Sequence, residues 1–323
     1  MEKLICALLV LLLSGCASYQ IGNVVHMGKE VSFTSSKDGT VLNGTLVSVA
    51  DPKATVLMIV GSGKTDRDET TEGTQTFSGK KEKLFKQLAD AFAEAGYASF
   101  RYDKRGVLDE AGKVDKQTWA KADREHLISD AVDASRFLNK DHSVKMSDLI
   151  ILGHSEGTII GVEVAISLDE KIRGLILLGA QARSMKDMLY YQIVESPHAT
   201  SSGQNKNAID DYHMALKMIE SSNEQWAPDN KPMNWYKQFL KAPANQDRIA
   251  LVKSPIAIFQ GEDDFSTPVE EAQRFRELGL KNLSIRTYPG LGHSFSPNKN
   301  GQPTYGPIDR KVVTDIVKAA NEF

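Results

Sequence analysis

The run Thr55-Val56-Leu57-Met58-Ile59-Val60 is continuously apolar or β-branched and stops at Gly61-Ser62-Gly63. It reads as a strand buried on both faces, and strands of that kind belong to parallel sheets covered by helices. Residues 98–102, 149–152, 174–178, 256–259 and 283–288 read as further strands. Between them apolar residues recur at helical spacing, as Leu84, Leu88, Ala91, Phe92 and Ala95 do before Gly96. Leu127, Ala131, Ala134 and Leu138 behind Asp123 mark a second helix, and residues 157–168 and 309–320 two more. Residues 31–33 and 42–49 alternate instead, as a strand pair turning at Lys37-Asp38-Gly39. Strand, helix, strand, repeated, means βαβ units and an α/β fold with a mostly parallel sheet.

The rhythm breaks between about residues 181 and 245, where Met, Tyr and Trp mix with polar residues and no strand-like run appears. Helices are expected there, including residues 208–219 with Ile209, Tyr212, Met218 and Ile219 as the buried face. Compact domains rarely carry a structureless loop of that length, so a helical cap insertion is expected. At about 150 residues per domain, 323 residues allow one large domain or two modest ones. With the second region read as an insertion, the body is one domain over residues 30–323.

Charge and cysteine content exclude several classes of function. Lys and Arg total 39 against 42 Asp and Glu, a net charge of −3. That lacks the basic footprint needed to neutralise phosphates, so nucleic acid is not an expected partner. Two cysteines cannot build a disulfide framework or a four-thiolate zinc site.

Both cysteines fall in the first sixteen residues. Residues 4–13 form an apolar run long enough for a secretory leader but half of the roughly 20 residues that a membrane span needs. The run ends in Leu13-Ser14-Gly15-Cys16, which resembles the bacterial lipobox, where the cysteine takes the lipid and becomes the new N-terminus. One departure is the opening, where Glu2 cancels Lys3. The resemblance implies a signal peptide over 1–15, lipidation of Cys16, a tether over 16–29 and a membrane anchored through acyl chains. Ala17 rather than Asp follows the cysteine. By likeness to Gram-negative lipoproteins, that favours the outer membrane, facing the periplasm. Cys6 would leave with the leader, so no free thiol would remain to act as a nucleophile.

Gly153-His154-Ser155-Glu156-Gly157 fits G-x-S-x-G between a strand and a helix, the context that this motif requires. The glycines allow strand and helix to pack closely around a serine held in a strained turn. A serine hydroxyl is a weak nucleophile and needs a base, itself oriented by a third group. Two later loops supply acids and a histidine: Gln260-Gly261-Glu262-Asp263-Asp264-Phe265-Ser266-Thr267-Pro268 and Gly290-Leu291-Gly292-His293-Ser294-Phe295, each directly after a strand.

With these motifs, residues 30–323 resemble the α/β-hydrolase superfamily. Gly61-Ser62-Gly63-Lys64-Thr65-Asp66-Arg67-Asp68 and the G-H-S-E-G elbow resemble its bacterial esterase and serine-aminopeptidase-like branch. The resemblance implies Ser155 as nucleophile, His293 as general acid and base, and Asp264 as the carboxylate orienting it, with Glu262 and Asp263 as alternatives. It implies backbone N–H groups of Ser62 and Glu156 as the oxyanion hole. His154, before the nucleophile, is expected to point away from the site. Asp66, Arg67 and Asp68 are expected to form a salt-bridged framework, the alternative being a metal or substrate clamp. Glu156 is expected to be a structural carboxylate behind the elbow.

Arg101-Tyr102-Asp103-Lys104-Arg105-Gly106 matches a further family loop, which then departs at Val107-Leu108, where substrate shape would be affected. Met188, Tyr190, Tyr191, Trp226, Trp235 and Phe239 in the cap would form an acyl or aromatic pocket, or else the cap's own core. The implied reaction is acyl-enzyme hydrolysis of a small-molecule ester or amide, without metal or organic cofactor. A carboxylesterase is the first expectation. Peptidase, thioesterase or acyltransferase activity, or an inactive hydrolase-fold binding protein of the envelope, are the alternatives.

Overall fold

The computed structural model describes residues 28–168, 172–196 and 207–323. The leader, Cys16 and the tether as far as residue 27 lie outside them. Among the described residues ten strands run in the order β1 (Lys29–Thr34), β2 (Val41–Val47), β3 (Thr55–Ile59), β4 (Thr70–Thr71), β5 (Glu82–Lys83), β6 (Ala98–Tyr102), β7 (Leu149–His154), β8 (Gly174–Leu178), β9 (Ile256–Gly261) and β10 (Leu283–Tyr288). Eight of them form one sheet in the order β1-β2-β6-β3-β7-β8-β9-β10. The strands from β6 to β10 in that order pair in parallel, while β1 with β2 and β2 with β6 pair antiparallel.

Burial follows the sequence pattern. Every residue of β3, β6, β7, β8 and β9 is buried, whereas the edge strands β1 and β10 are largely not. The pleat sends alternate residues to opposite faces. Leu57, Ile59, Leu149 and Ile151 pack with Leu127, Ala131 and Ile159 of the helices Arg124–His142 and Glu156–Ser167. Val56, Met58, Ile150 and Leu152 pack instead with Phe85, Leu88, Val312 and Ile316 of Leu84–Glu94 and Arg310–Glu322. Each such fully buried Leu or Ile side chain contributes roughly 1.5–3 kcal/mol, so the two apolar layers fix the sheet between helices. Asp123 caps its helix by accepting from the His126 N–H. Gly96, at φ 85°, turns the chain from Leu84–Glu94 into β6.

The short hairpin of β4 and β5 has no counterpart in the sequence reading, because two residues leave no periodicity to detect. Between β8 and β9 the described residues form the helices Met185–Tyr190, Ala208–Ser221, Met233–Lys241 and Asn245–Ile249 and a π-helical turn, Tyr191–Glu195. In Ala208–Ser221, Tyr212 and Ile219 are buried as expected. Ile209 and Met218 are not; they are 51% and 41% exposed. Among the described residues one narrow side of that helix meets its neighbours, with Ile219 packed with Ala227 and Met233.

Candidate active site

The elbow after β7 is as tight as its glycines imply. A Cβ on Gly153 would overlap the carbonyl oxygen of Gly157, and one on Gly157 would overlap that of Ile59 on β3. Ser155 between them has φ 54° and ψ −119°. That is a backbone conformation costing a non-glycine residue on the order of 1–3 kcal/mol, and such strain clusters at functional sites. Its carbonyl accepts from the Thr158 N–H at 2.9 Å and hydroxyl at 2.6 Å, while its own N–H donates to Leu178 at 2.9 Å. The turn is thereby tied to β8.

The loops after β9 and β10 bring Asp264 and His293 together. Nδ1 of His293 lies 2.7 Å from Oδ2 of Asp264. The same carboxylate accepts from the N–H groups of Ser266 and Thr267, each at 2.8 Å, and from Gln260 Nε2 at 3.1 Å. Of the three acids in that loop only Asp264 is buried; Glu262 and Asp263 are exposed, and Glu262 accepts from the hydroxyl of Thr287. Gly179, at φ 61° beyond β8, makes room for the pair, since a Cβ there would stand 3.2 Å from both Cε1 and Nδ1 of His293. Ser155 and His293 line one cavity of about 580 Å³, together with Ser62, Thr65, Gln192 and Tyr305.

The residues flanking Ser155 are each paired in the interior. Glu156 Oε1 accepts from Lys104 Nζ at 2.7 Å and Oε2 from the Trp235 indole N–H at 2.6 Å. It is a structural carboxylate behind the elbow. Lys104 Nζ also donates to the Gly61 carbonyl at 2.5 Å. The Gly61 N–H donates to Glu69 Oε1, also at 2.5 Å. Gly61 is therefore held on both sides of its backbone, immediately before Ser62. Glu156 begins the helix Glu156–Ser167, where first-turn N–H groups have no carbonyl within the helix to pair with.

Several expectations change here. His154 does not point away: it lines the cavity, and its ring centroid lies 4.8 Å from that of His293. The strand–turn geometry brings it against the loop after β10. The loop at Val107-Leu108 does not line the cavity; Val107 is buried with Trp119 and Ala122, and Leu108 is 58% exposed. None of the six cap side chains lines the cavity either. Trp235 and Phe239 join the core of the sheet, so the interior reading of those aromatics is the one that holds.

The charged stretch before Glu69 is a framework. Arg67 meets Asp103 and Glu30 at 2.6 Å each, Asp68 meets Arg101 at 2.6 Å, and Asp66 accepts from the N–H and hydroxyl of Thr70. Desolvation raises the Asp66 carboxyl above the usual range. Burial acts the same way on Asp68, yet the charges and hydrogen bonds of Arg101 and Lys83 together outweigh it and hold that carboxyl low. Glu69 and Lys104 were not singled out in sequence as site residues. Lys104 lies within a recognisable motif, but Glu69 carries no local signal except its position next to the Asp66-Arg67-Asp68 run.

A family model described as serine aminopeptidase, S33, a hydrolase family, matches residues 78–299. Among solved structures, Est1E of Butyrivibrio proteoclasticus with ferulic acid bound is similar at 17% identity and a TM-score of 0.55, over 91% of this chain and 97% of that one. The proline iminopeptidase of Mycobacterium smegmatis is similar at 12% identity and 0.56, over 90% and 98%. A puromycin hydrolase is similar at 14% and 0.53 over 91% of this chain, which spans 38% of that protein's length. No curated protein matches the sequence.

Proposed function

The chain belongs to the serine aminopeptidase S33 family of α/β hydrolases, and we propose that within it the protein is a serine carboxylesterase working through an acyl-enzyme. The observation that carries this reading is the 2.7 Å contact of Asp264 with His293, which lines the same cavity as the strained Ser155. In the proposed reaction His293 Nε2 takes the Ser155 proton as Oγ attacks the ester carbonyl. Asp264 accepts from Nδ1–H, which fixes the tautomer and stabilises the imidazolium that forms. The N–H groups of Ser62 and Glu156 receive the oxyanion, each worth roughly 10²–10³ in rate. His293 then returns its proton to the leaving alcohol and activates the water that releases the acid.

An ester is preferred because its leaving group asks least of the site. The second reading is a peptidase, which the family model favours. A fluorophosphonate probe followed by peptide mapping tests the nucleophile: an adduct at Ser155 is expected, and a folded chain without one defeats the proposal. Nitrophenyl esters of graded acyl length assayed beside aminoacyl anilides separate esterase from peptidase.

We also propose that the domain sits at the bacterial envelope, at the outer membrane facing the periplasm and tethered by acyl chains on Cys16. The support is the Leu13-Ser14-Gly15-Cys16 sequence. Replacing Cys16 by Ser should abolish palmitate labelling and leave a soluble or unprocessed chain; unchanged labelling and membrane retention would refute the anchor.

A further inference from the structure

His154 is buried, 5% exposed, and both of its ring nitrogens face acceptor oxygens. Nδ1 lies 2.7 Å from Oε2 of Glu69, an ion-pair contact outside hydrogen-bond geometry, and Nε2 lies within hydrogen-bond distance, 3.1 Å, of the carbonyl oxygen of His293. A carboxylate and a carbonyl can only accept, whereas neutral imidazole has one N–H and one lone pair. A neutral ring would therefore set a lone pair against one of these oxygens, whereas the imidazolium donates to the His293 carbonyl and meets the Glu69 carboxylate as an opposite charge. Glu69 itself holds an unusual conformation, φ 50°, on a non-glycine residue. That backbone aims one carboxylate oxygen at Gly61 N–H and the other at His154.

We propose that His154 is a positioning residue: as an imidazolium it ties the loop of His293 to the loop of Gly61 and Ser62, and its deprotonation slows turnover at alkaline pH. The path is continuous. From the His293 carbonyl it runs through the His154 ring and the Glu69 carboxylate to the Gly61 amide, so the base and one oxyanion donor are held relative to the elbow between them. The groups facing the ring are Glu69 from the loop before β4, the His293 ring and carbonyl from the loop after β10, and Asp264 behind His293 from the loop after β9. Burial opposes a charge on His154; the Glu69 carboxylate, the His293 carbonyl and Asp264 outweigh it, and the ring stays protonated above the ordinary histidine range. The sign follows. The protonated ring is the working form, so its contribution is complete at low pH and is lost as pH rises through the raised value.

The consequence for turnover rests on the hydrolase reading above; the charge state does not. The test uses the full chain, nitrophenyl acetate as substrate between pH 6 and 10, and ¹⁵N NMR of the histidine rings assigned with His154→Gln. Both His154 nitrogens are expected to carry protons at pH 7. In the unmodified chain kcat should fall on the alkaline side with a midpoint above about 6.5. Glu69→Gln keeps an acceptor for the Gly61 amide but removes the charge, and should move that limb to lower pH by roughly 1–3 units. His154→Gln should abolish the limb and lower kcat roughly 10–100-fold with little change in KM, the size of effect expected of small displacements. If the His154→Gln chain does not fold, the His154 ring signals are assigned by their displacement in Glu69→Gln, and that variant and the NMR titration decide. A ring with one proton at pH 7, or an alkaline limb unmoved in Glu69→Gln, overturns the proposal. A chain that hydrolyses no ester but holds both ring protons defeats the esterase reading and leaves the imidazolium tie standing.

Discussion

Trp235 donates its indole N–H to Oε2 of Glu156 at 2.6 Å, joining the insertion between β8 and β9 to the residue directly after Ser155. The ring also packs on Phe239, centroids 4.7 Å apart, and the other Glu156 oxygen accepts from Lys104. The insertion is thus fastened to the reverse side of the elbow by a buried polar bond as well as by apolar area. It cannot shift at that point without leaving a buried carboxylate oxygen unpaired.

Two substitutions should rank accordingly. Trp235→Phe keeps an aromatic ring and removes one donor, which should cost about 1–3 kcal/mol for an orphaned buried acceptor. Lys104→Met leaves Glu156 without its cation and frees the Gly61 carbonyl, and breaking a buried pair in this way costs about 3–5 kcal/mol. Urea unfolding of both chains checks the order; equal losses would mean that the indole bond and the ion pair do not differ as the geometry says.

Ser155 should be a source of instability. Its φ of 54° persists because the elbow holds it, and glycine alone adopts such angles without steric cost. Ser155→Gly should therefore be more stable than Ser155→Ala by about 1 kcal/mol, while both lose hydrolysis entirely. Thermal or chemical unfolding of the pair decides. An alanine chain as stable as the glycine chain would show that the turn stores no strain.

Much of this site was legible in sequence because its signals are local. A buried strand running through Gly153, a serine between two glycines and loops bearing Asp264 and His293 after strands all leave their mark within about ten residues. What was not legible depends on pairs far apart in the chain. Glu69 meets His154 across 85 positions and Lys104 meets Glu156 across 52, and no periodicity announces either. The cap helix shows the reverse error. Ile209 and Met218 carry an apolar pattern, but among the described residues nothing covers them.

The framework ahead of β4 should show itself in acid. Burial raises the Asp68 carboxyl, but Arg101 and Lys83 together lower it by more, so its folded value lies below its unfolded one. A carboxylate depressed in this way contributes stability above its unfolded pKa and loses it as pH falls through the folded value. Asp68→Asn should thus cost about 1.5–3 kcal/mol at pH 7, the range for a hydrogen bond to a charged group. The gap to the unmodified chain should close below about pH 3.9. Unfolding midpoints measured from pH 7 to pH 2.5 check this; a gap independent of pH would assign the loss to packing.

Gly179 and Gly279 offer a controlled comparison, since both have φ of 61°. A Cβ at Gly279 meets nothing within 4 Å, whereas one at Gly179 stands 3.2 Å from two atoms of the His293 ring and 3.6 Å from Asp264 Oδ2. Alanine at either position bears the left-handed backbone cost of about 1–2 kcal/mol. Only Gly179→Ala also pushes on His293, and displacement of a reacting group by even about 1 Å can cost on the order of 10²-fold in rate. The expected outcome is a similar backbone penalty in both chains with the loss of kcat confined to Gly179→Ala. Unfolding curves and ester hydrolysis measured on both chains separate the two effects. Equal kcat in the two variants would mean that the His293–Asp264 pair is not held in place by the space that Gly179 leaves.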